Sequence, residues 1–209
     1  MEHTTRRGRF IVFEGIDGSG KTTQTKRLEA HLAAQGRTVL LTAEPTKLPT
    51  GRALRDALAG RVKKSECEMA ALFVEDRVAH NNDPEEGIRV MLERGVDVIC
   101  DRYYYSSLAY QGQATDYAWV KAMNLNCPDI LRPDICIYLD LLPHQSLARI
   151  RQGRDAVEIY ENEETLARVR NTFLHVIEDL RERDHIAVVN AFRSPEEIAE
   201  EIAALVDAL

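Results

Sequence analysis

Phe13-Glu14-Gly15-Ile16-Asp17-Gly18-Ser19-Gly20-Lys21-Thr22-Thr23 fits the spacing G-x-x-x-x-G-K-[ST] of a phosphate-binding loop. Phe10-Ile11-Val12-Phe13 before it reads as a short buried strand, and Thr23 to Gln35 after it as a helix. Glycines let the backbone curl so that several N–H groups point at one anion, and the helix N-terminus adds partial positive charge. Gly15, Ile16, Asp17, Gly18, Ser19, Gly20, Lys21, Thr22 and Thr23 are therefore expected at a nucleotide's phosphates. Lys21 would reach the β- and γ-phosphates, and the Thr22 hydroxyl would sit on Mg²⁺. The competing explanation is an ordinary glycine-rich strand-to-helix turn.

Outward from this loop, apolar runs recur between stretches with helical periodicity, as in βαβ units. Strands are expected at Thr38–Thr42, Val96–Asp101, Ile135–Leu139 and Ile186–Val189. Gly51–Leu58 reads as a short helix, and Glu66–Arg94 as a long one with a possible break at Asp83-Pro84 and a stop at Gly95. Ser194 before Pro195 marks the start of a last helix, whose Ile198, Ile202, Leu205, Val206 and Leu209 share one face. The fold class is α/β, a three-layer P-loop NTPase fold with five parallel strands and helices on both faces. One domain is expected over 1–209, with a frayed tail at 1–8 and a flexible basic lid at about 149–160.

The bulk properties narrow the function. With 27 basic against 34 acidic residues the net charge is −7, which argues against a nucleic-acid surface built from bulk charge. The four cysteines are scattered, as reduced structural thiols are in a cytoplasmic protein. No apolar run approaches the ~20 residues that span a bilayer, and Met1–Arg9 lacks a signal peptide's apolar segment. A nucleotide site must therefore gather its positive charge locally.

In an open parallel sheet, ligands bind beyond the C-terminal ends of the strands. There the first strand delivers Asp17, the second Glu44-Pro45-Thr46, and the third Asp101-Arg102-Tyr103. Asp101 can orient Mg²⁺-bound water, and Arg102 can grip a phosphate through two N–H groups. The alternative is an Asp101–Arg102 pair that merely caps the strand. Beyond the fourth strand, Arg149, Arg151 and Arg154 crowd around Gly153, a spacing suited to a basic flap over a triphosphate or to a solvated helix end.

These residues resemble the thymidylate kinase family. The phosphate loop is similar to that family's, and Asp101-Arg102-Tyr103-Tyr104-Tyr105-Ser106-Ser107-Leu108-Ala109-Tyr110-Gln111-Gly112 resembles its D-R-Y-x-x-S-x-x-A-Y-Q-G signature. Leu72-Phe73-Val74-Glu75-Asp76-Arg77 is similar to its L-F-x-x-D-R helix. The resemblance covers Arg9 to Val206 and implies transfer of the γ-phosphoryl of ATP to dTMP, with Mg²⁺, in a homodimer. It puts Phe73 against the thymine, with Arg77, Ser107 and Gln111 reading the base. Tyr110 would exclude a 2′-hydroxyl and Asp17 would hold the 3′-hydroxyl. Arg102, Arg55 and Glu44 would face the acceptor, and Arg193 the donor nucleotide. The alternatives are a kinase for another nucleoside monophosphate and a degenerate nucleotide-binding protein.

Four positions depart from the family pattern. Gly18 stands where some members carry a phosphate-loop arginine, so the catalytic arginine is expected from Arg149, Arg151 or Arg154. Ala43 replaces the arginine of R-E-P, Ile159 that of D-R-x-E, and Phe192 the serine of D-A-S. Ala43 and Ile159 bear on rate and Phe192 on donor choice.

Overall fold

β1 (Phe10–Glu14) is buried along its whole length, and its residues alternate between two cores because successive side chains leave opposite faces of a strand. A computed structural model describes residues 6–153 and 162–209. Phe10 and Val12 enter one cluster with Val98, Cys100, Cys136 and Tyr138. Ile11 and Phe13 enter the other with Ile99, Ile135, Ile137 and Leu139.

The five strands are β1, β2 (Val39–Ala43), β3 (Asp97–Asp101), β4 (Ile135–Asp140) and β5 (Ile186–Asn190). They form one parallel sheet in the order β2-β3-β1-β4-β5, each within a residue of its expected bounds. From β1 the chain crosses to β2 at one edge, returns to β3 beside β1, and then passes to β4 on the other side of β1. That reversal opens a crevice at the C-terminal end of β1, where the phosphate loop begins.

One face is covered by α1 (Lys21–Ala34) and α9 (Pro195–Asp207), through Leu28, Leu32, Ile198, Ile202 and Val206. Ser194 caps α9 as expected, and Glu197 returns the contact to the Ser194 N–H to complete a capping box. The other face is covered by α3 (Glu66–Asn82), α4 (Ile88–Glu93), α5 (Tyr104–Ala114), α6 (Tyr117–Leu125) and α8 (Glu163–Leu180). α2 (Pro49–Leu58) lies against α3, and α7 (Pro143–Gly153) against α8.

The long helix does break at Asp83-Pro84, where Asp83 Oδ1 accepts from the backbone N–H groups of Glu85 and Glu86 at 3.0 and 2.9 Å. Two expected segments, the tail at 1–8 and the lid at about 149–160, lie only partly among the described residues. Residues 6–8 of the frayed tail are tied down: Arg6 donates to Leu209 O, Arg7 pairs with Asp134, and Gly8 N donates to Leu92 O. Residues 149–153 of the lid are the last turn and a half of α7, while 154–160, with Arg154 and Ile159, lie outside the described residues.

Candidate functional site

A cleft of about 900 Å³ opens at the C-terminal edge of the sheet. Asp17, Gly18, Ser19, Gly20, Lys21, Thr22 and Thr23 line one wall. Glu44, Asp101, Arg102, Arg149 and Arg193 line the rest. Gly15 and Ile16 contribute backbone only: their carbonyls accept from Lys21 Nζ at 2.9 and 3.3 Å, and the Ile16 side chain is in the core. Gly15, at φ +147°, has no room for a side chain, since a Cβ would lie 2.7 Å from Ser19 Oγ and 2.8 Å from Leu139 O.

Burial, helped by the nearby Arg102 charge, lowers the Lys21 pKa to about 8, against the opposing pull of Asp101, Asp17 and Glu14. The Ser19 Oγ is buried and without a hydrogen-bond partner among the described residues, and so is Asp101 Oδ1.

Gly18 explains one departure. At φ +75°, its Cβ position falls 2.9 Å from Ser146 O and 3.1 Å from Ile150 Cγ1, so α7 packs where a side chain would go. Ser146 Oγ also donates to Asp17 O at 2.5 Å. The space that a phosphate-loop arginine would use is filled by α7, which brings Arg149 to the cleft instead. Arg149 Nη2 donates to Ala191 O at 2.8 Å, so α7 is latched to the loop after β5. Arg151 is exposed and does not line the cleft.

Arg102 is the one described non-glycine residue with positive φ, +68°. Its ion pair is with Asp17, Nη2 to Oδ1 at 2.5 Å, rather than the strand-capping pair with Asp101. Its guanidinium also lies over the Tyr110 ring, 5.6 Å from the centroid. The first and third strands thus converge through a charge pair 85 residues apart in sequence.

Behind Glu44 lies a buried polar network. Arg77, 1 % exposed, donates to Glu44 Oε2 at 2.6 Å, Asn124 Oδ1 at 2.5 Å and Ser107 Oγ at 3.2 Å. His80 Nδ1 is 3.0 Å from Glu44 Oε1, and its Nε2 is 2.8 Å from Thr42 Oγ1. Arg77 Nε has no partner among the described residues and remains a buried donor. Phe73 is half-buried one helical turn before Arg77, and Tyr110 and Gln111 are half-buried on α5. Arg55 stands apart from the cleft lining and donates to the carbonyls of Pro45 and Thr46, bracing the loop after β2.

A phosphate loop and a second basic cluster facing it across one crevice define a P-loop kinase acting on a small phosphorylated acceptor. Residues 13–202 match the family model described as thymidylate kinase. The chain is 41 % identical over 207 residues to the "Probable thymidylate kinase" of Pyrococcus abyssi, covering 96 % of each chain. It is 38 % identical over 209 residues to the "Thymidylate kinase" of Bifidobacterium longum subsp. infantis, covering 97 % of this chain and 87 % of that one. The chain belongs to the thymidylate kinase family.

Proposed function

We propose that the protein transfers the γ-phosphoryl group of ATP to dTMP, giving dTDP and ADP. The observation that carries this reading is the meeting, in one cleft, of Lys21 on the phosphate loop with Arg102, which pairs with Asp17 of the same loop from the end of the third strand. Glu44 then links the cleft to the base-reading candidates Arg77 and Ser107. Lys21 and the loop N–H groups hold the donor phosphates, Arg193 lies beside the donor nucleotide, and Arg149 neutralises charge on the transferred group. Arg102 grips the acceptor phosphate and Asp17 orients the sugar. Positioning and charge neutralisation carry such a reaction, so no strong general base is required.

Mg²⁺ fits this site. Asp101 offers a buried carboxylate oxygen without a partner among the described residues, and the exposed Thr22 hydroxyl lines the same cleft. When bound there, the ion neutralises charge on the phosphate oxygens. A homodimer packed along α3 and a cytoplasmic location complete the reading. Sedimentation as a monomer at assay concentration would remove the dimer.

ADP release with Mg²⁺-ATP against dTMP, dUMP, UMP, CMP, AMP and dGMP tests the activity. dTMP is expected to dominate kcat/KM, and preference for any other acceptor overturns the reading. Tyr110 packs between Arg102 and Phe173, the latter ring edge-on at 6.0 Å, which places its ring beside the proposed acceptor-phosphate residue. Tyr110→Ala should lower the preference for dTMP over its 2′-hydroxyl analogue by about 10–100-fold. An unchanged ratio would remove Tyr110 from the sugar site.

A further inference from the structure

Glu14 is 1 % exposed and stands immediately before the phosphate loop, yet among the described residues its side-chain hydrogen bonds go to the segment 103–106. α5 begins there with Tyr103 as its N-cap, and Tyr103 makes no side-chain capping bond. Glu14 supplies the cap from β1. Its Oε1 accepts from the N–H groups of Tyr103 and Ser106 at 2.8 and 3.0 Å, and its Oε2 accepts from Ser106 Oγ at 2.7 Å. A carboxylate at a helix N-terminus also gains from the helix dipole.

The Ser106 hydroxyl does a second thing: it accepts from Arg102 Nη1 at 3.2 Å. The Arg102 backbone N–H meanwhile donates to Phe13 O at 2.9 Å. Arg102 is therefore tied to the end of β1 directly through its backbone N–H and, through Ser106, at its guanidinium, whose other nitrogen pairs with Asp17. Phe13 and Glu14 lead directly into the loop that faces the donor.

We infer that Glu14 is a positioning residue, fixing Arg102 through Ser106 and so setting the acceptor phosphate in register with the donor loop. This rests on the proposed function, because it takes Arg102 as the acceptor-phosphate ligand. A residue that only capped α5 would affect stability, and donor and acceptor alike. A positioning residue affects the acceptor selectively.

Glu14→Gln separates the two roles. The amide oxygen still accepts from Tyr103 and Ser106 N–H, so the cap survives, but the amide nitrogen cannot accept from Ser106 Oγ. Steady-state kinetics should show the dTMP KM rising and kcat falling by about tenfold each, with ATP affinity changed by less than about twofold. Parallel losses for ATP and dTMP, or no loss for either, overturn the inference. If Glu14→Gln does not fold, Ser106→Ala carries the test, because it leaves Glu14 in place and removes the link. A rise of about threefold or more in the dTMP KM is then expected, and an unchanged KM overturns the inference. The wild-type control keeps the two ideas apart. Absence of wild-type turnover with dTMP sinks the proposed function, whereas normal wild-type turnover beside an unaffected Glu14→Gln sinks the role of Glu14 alone.

Discussion

Arg102→Ala is expected to lower kcat/KM for dTMP by about 10³-fold, while ATP affinity measured without acceptor stays within about twofold. Two effects combine. A hydrogen bond to a charged group contributes about 1.5–3 kcal/mol, which weakens acceptor binding by roughly 10–100-fold. Losing a pre-positioned donor to transition-state charge costs about 10²–10³ in kcat on its own, and the two overlap because one guanidinium serves both. The site contains carboxylates as well as cations: Asp17 pairs with Arg102, and Glu14 and Asp101 also lie close enough to act on its charge. Removing Arg102 turns this side of the cleft toward net negative, where the proposed function puts a phosphate dianion. Arg102→Lys should fall between alanine and wild type, since a point charge remains but the planar fork does not. A value of kcat/KM within about threefold of wild type for Arg102→Ala would move the acceptor site elsewhere.

How far the sequence reveals this site depends on how local each feature is. The phosphate loop is legible because its geometry is written in consecutive residues: glycines where φ is positive at 15, 18 and 20, and Lys21-Thr22 at the helix start. The strands are legible for a similar reason, since burial on both faces leaves unbroken apolar runs such as Phe10–Phe13 and Val98–Cys100. The break after Asn82 follows from Pro84, which has no N–H to donate. What the sequence conceals are partnerships between distant residues. Asn124 orients Arg77 from 47 residues away, Glu14 caps a helix that starts 90 residues later, and His80 shares Glu44 with Arg77. None of these has a period or a motif. Their one signal is a polar residue among apolar neighbours, which in Asn124 is also how an ordinary exposed helix face reads. The packing of α7 on Gly18 is concealed too, because it depends on where a helix far along the chain returns to the sheet.

Glu44→Ala should produce the largest loss of stability of any single change at the site, about 3–5 kcal/mol, because it strands the Arg77 charge in the interior. The Arg77 and Glu44 side chains are 1 % and 3 % exposed, so water cannot replace the lost partner, and Asn124 and Ser107 offer only neutral oxygens. For a chain of this size the melting temperature should drop by about 10 °C. A drop under about 2 °C would mean that the pair is solvated in solution and that the buried network is not maintained. Such an ion pair is a poor way to stabilise a fold, since desolvation cancels most of its attraction and an apolar pair of similar volume is often as good. The double variant Glu44→Leu with Arg77→Met is therefore expected to recover most of the lost stability, with His80 still bonded to Thr42. Under the proposed function it should not recover turnover with dTMP, because it removes Arg77, the proposed base reader, whose buried Nε–H has no partner among the described residues. Stability and activity should thus part company across the pair. If the double variant regained both, Arg77 would be a structural arginine and base recognition would fall to Ser107 and Gln111 alone. If it regained stability only, the ion pair is there for the substrate and its cost is borne by the rest of the core.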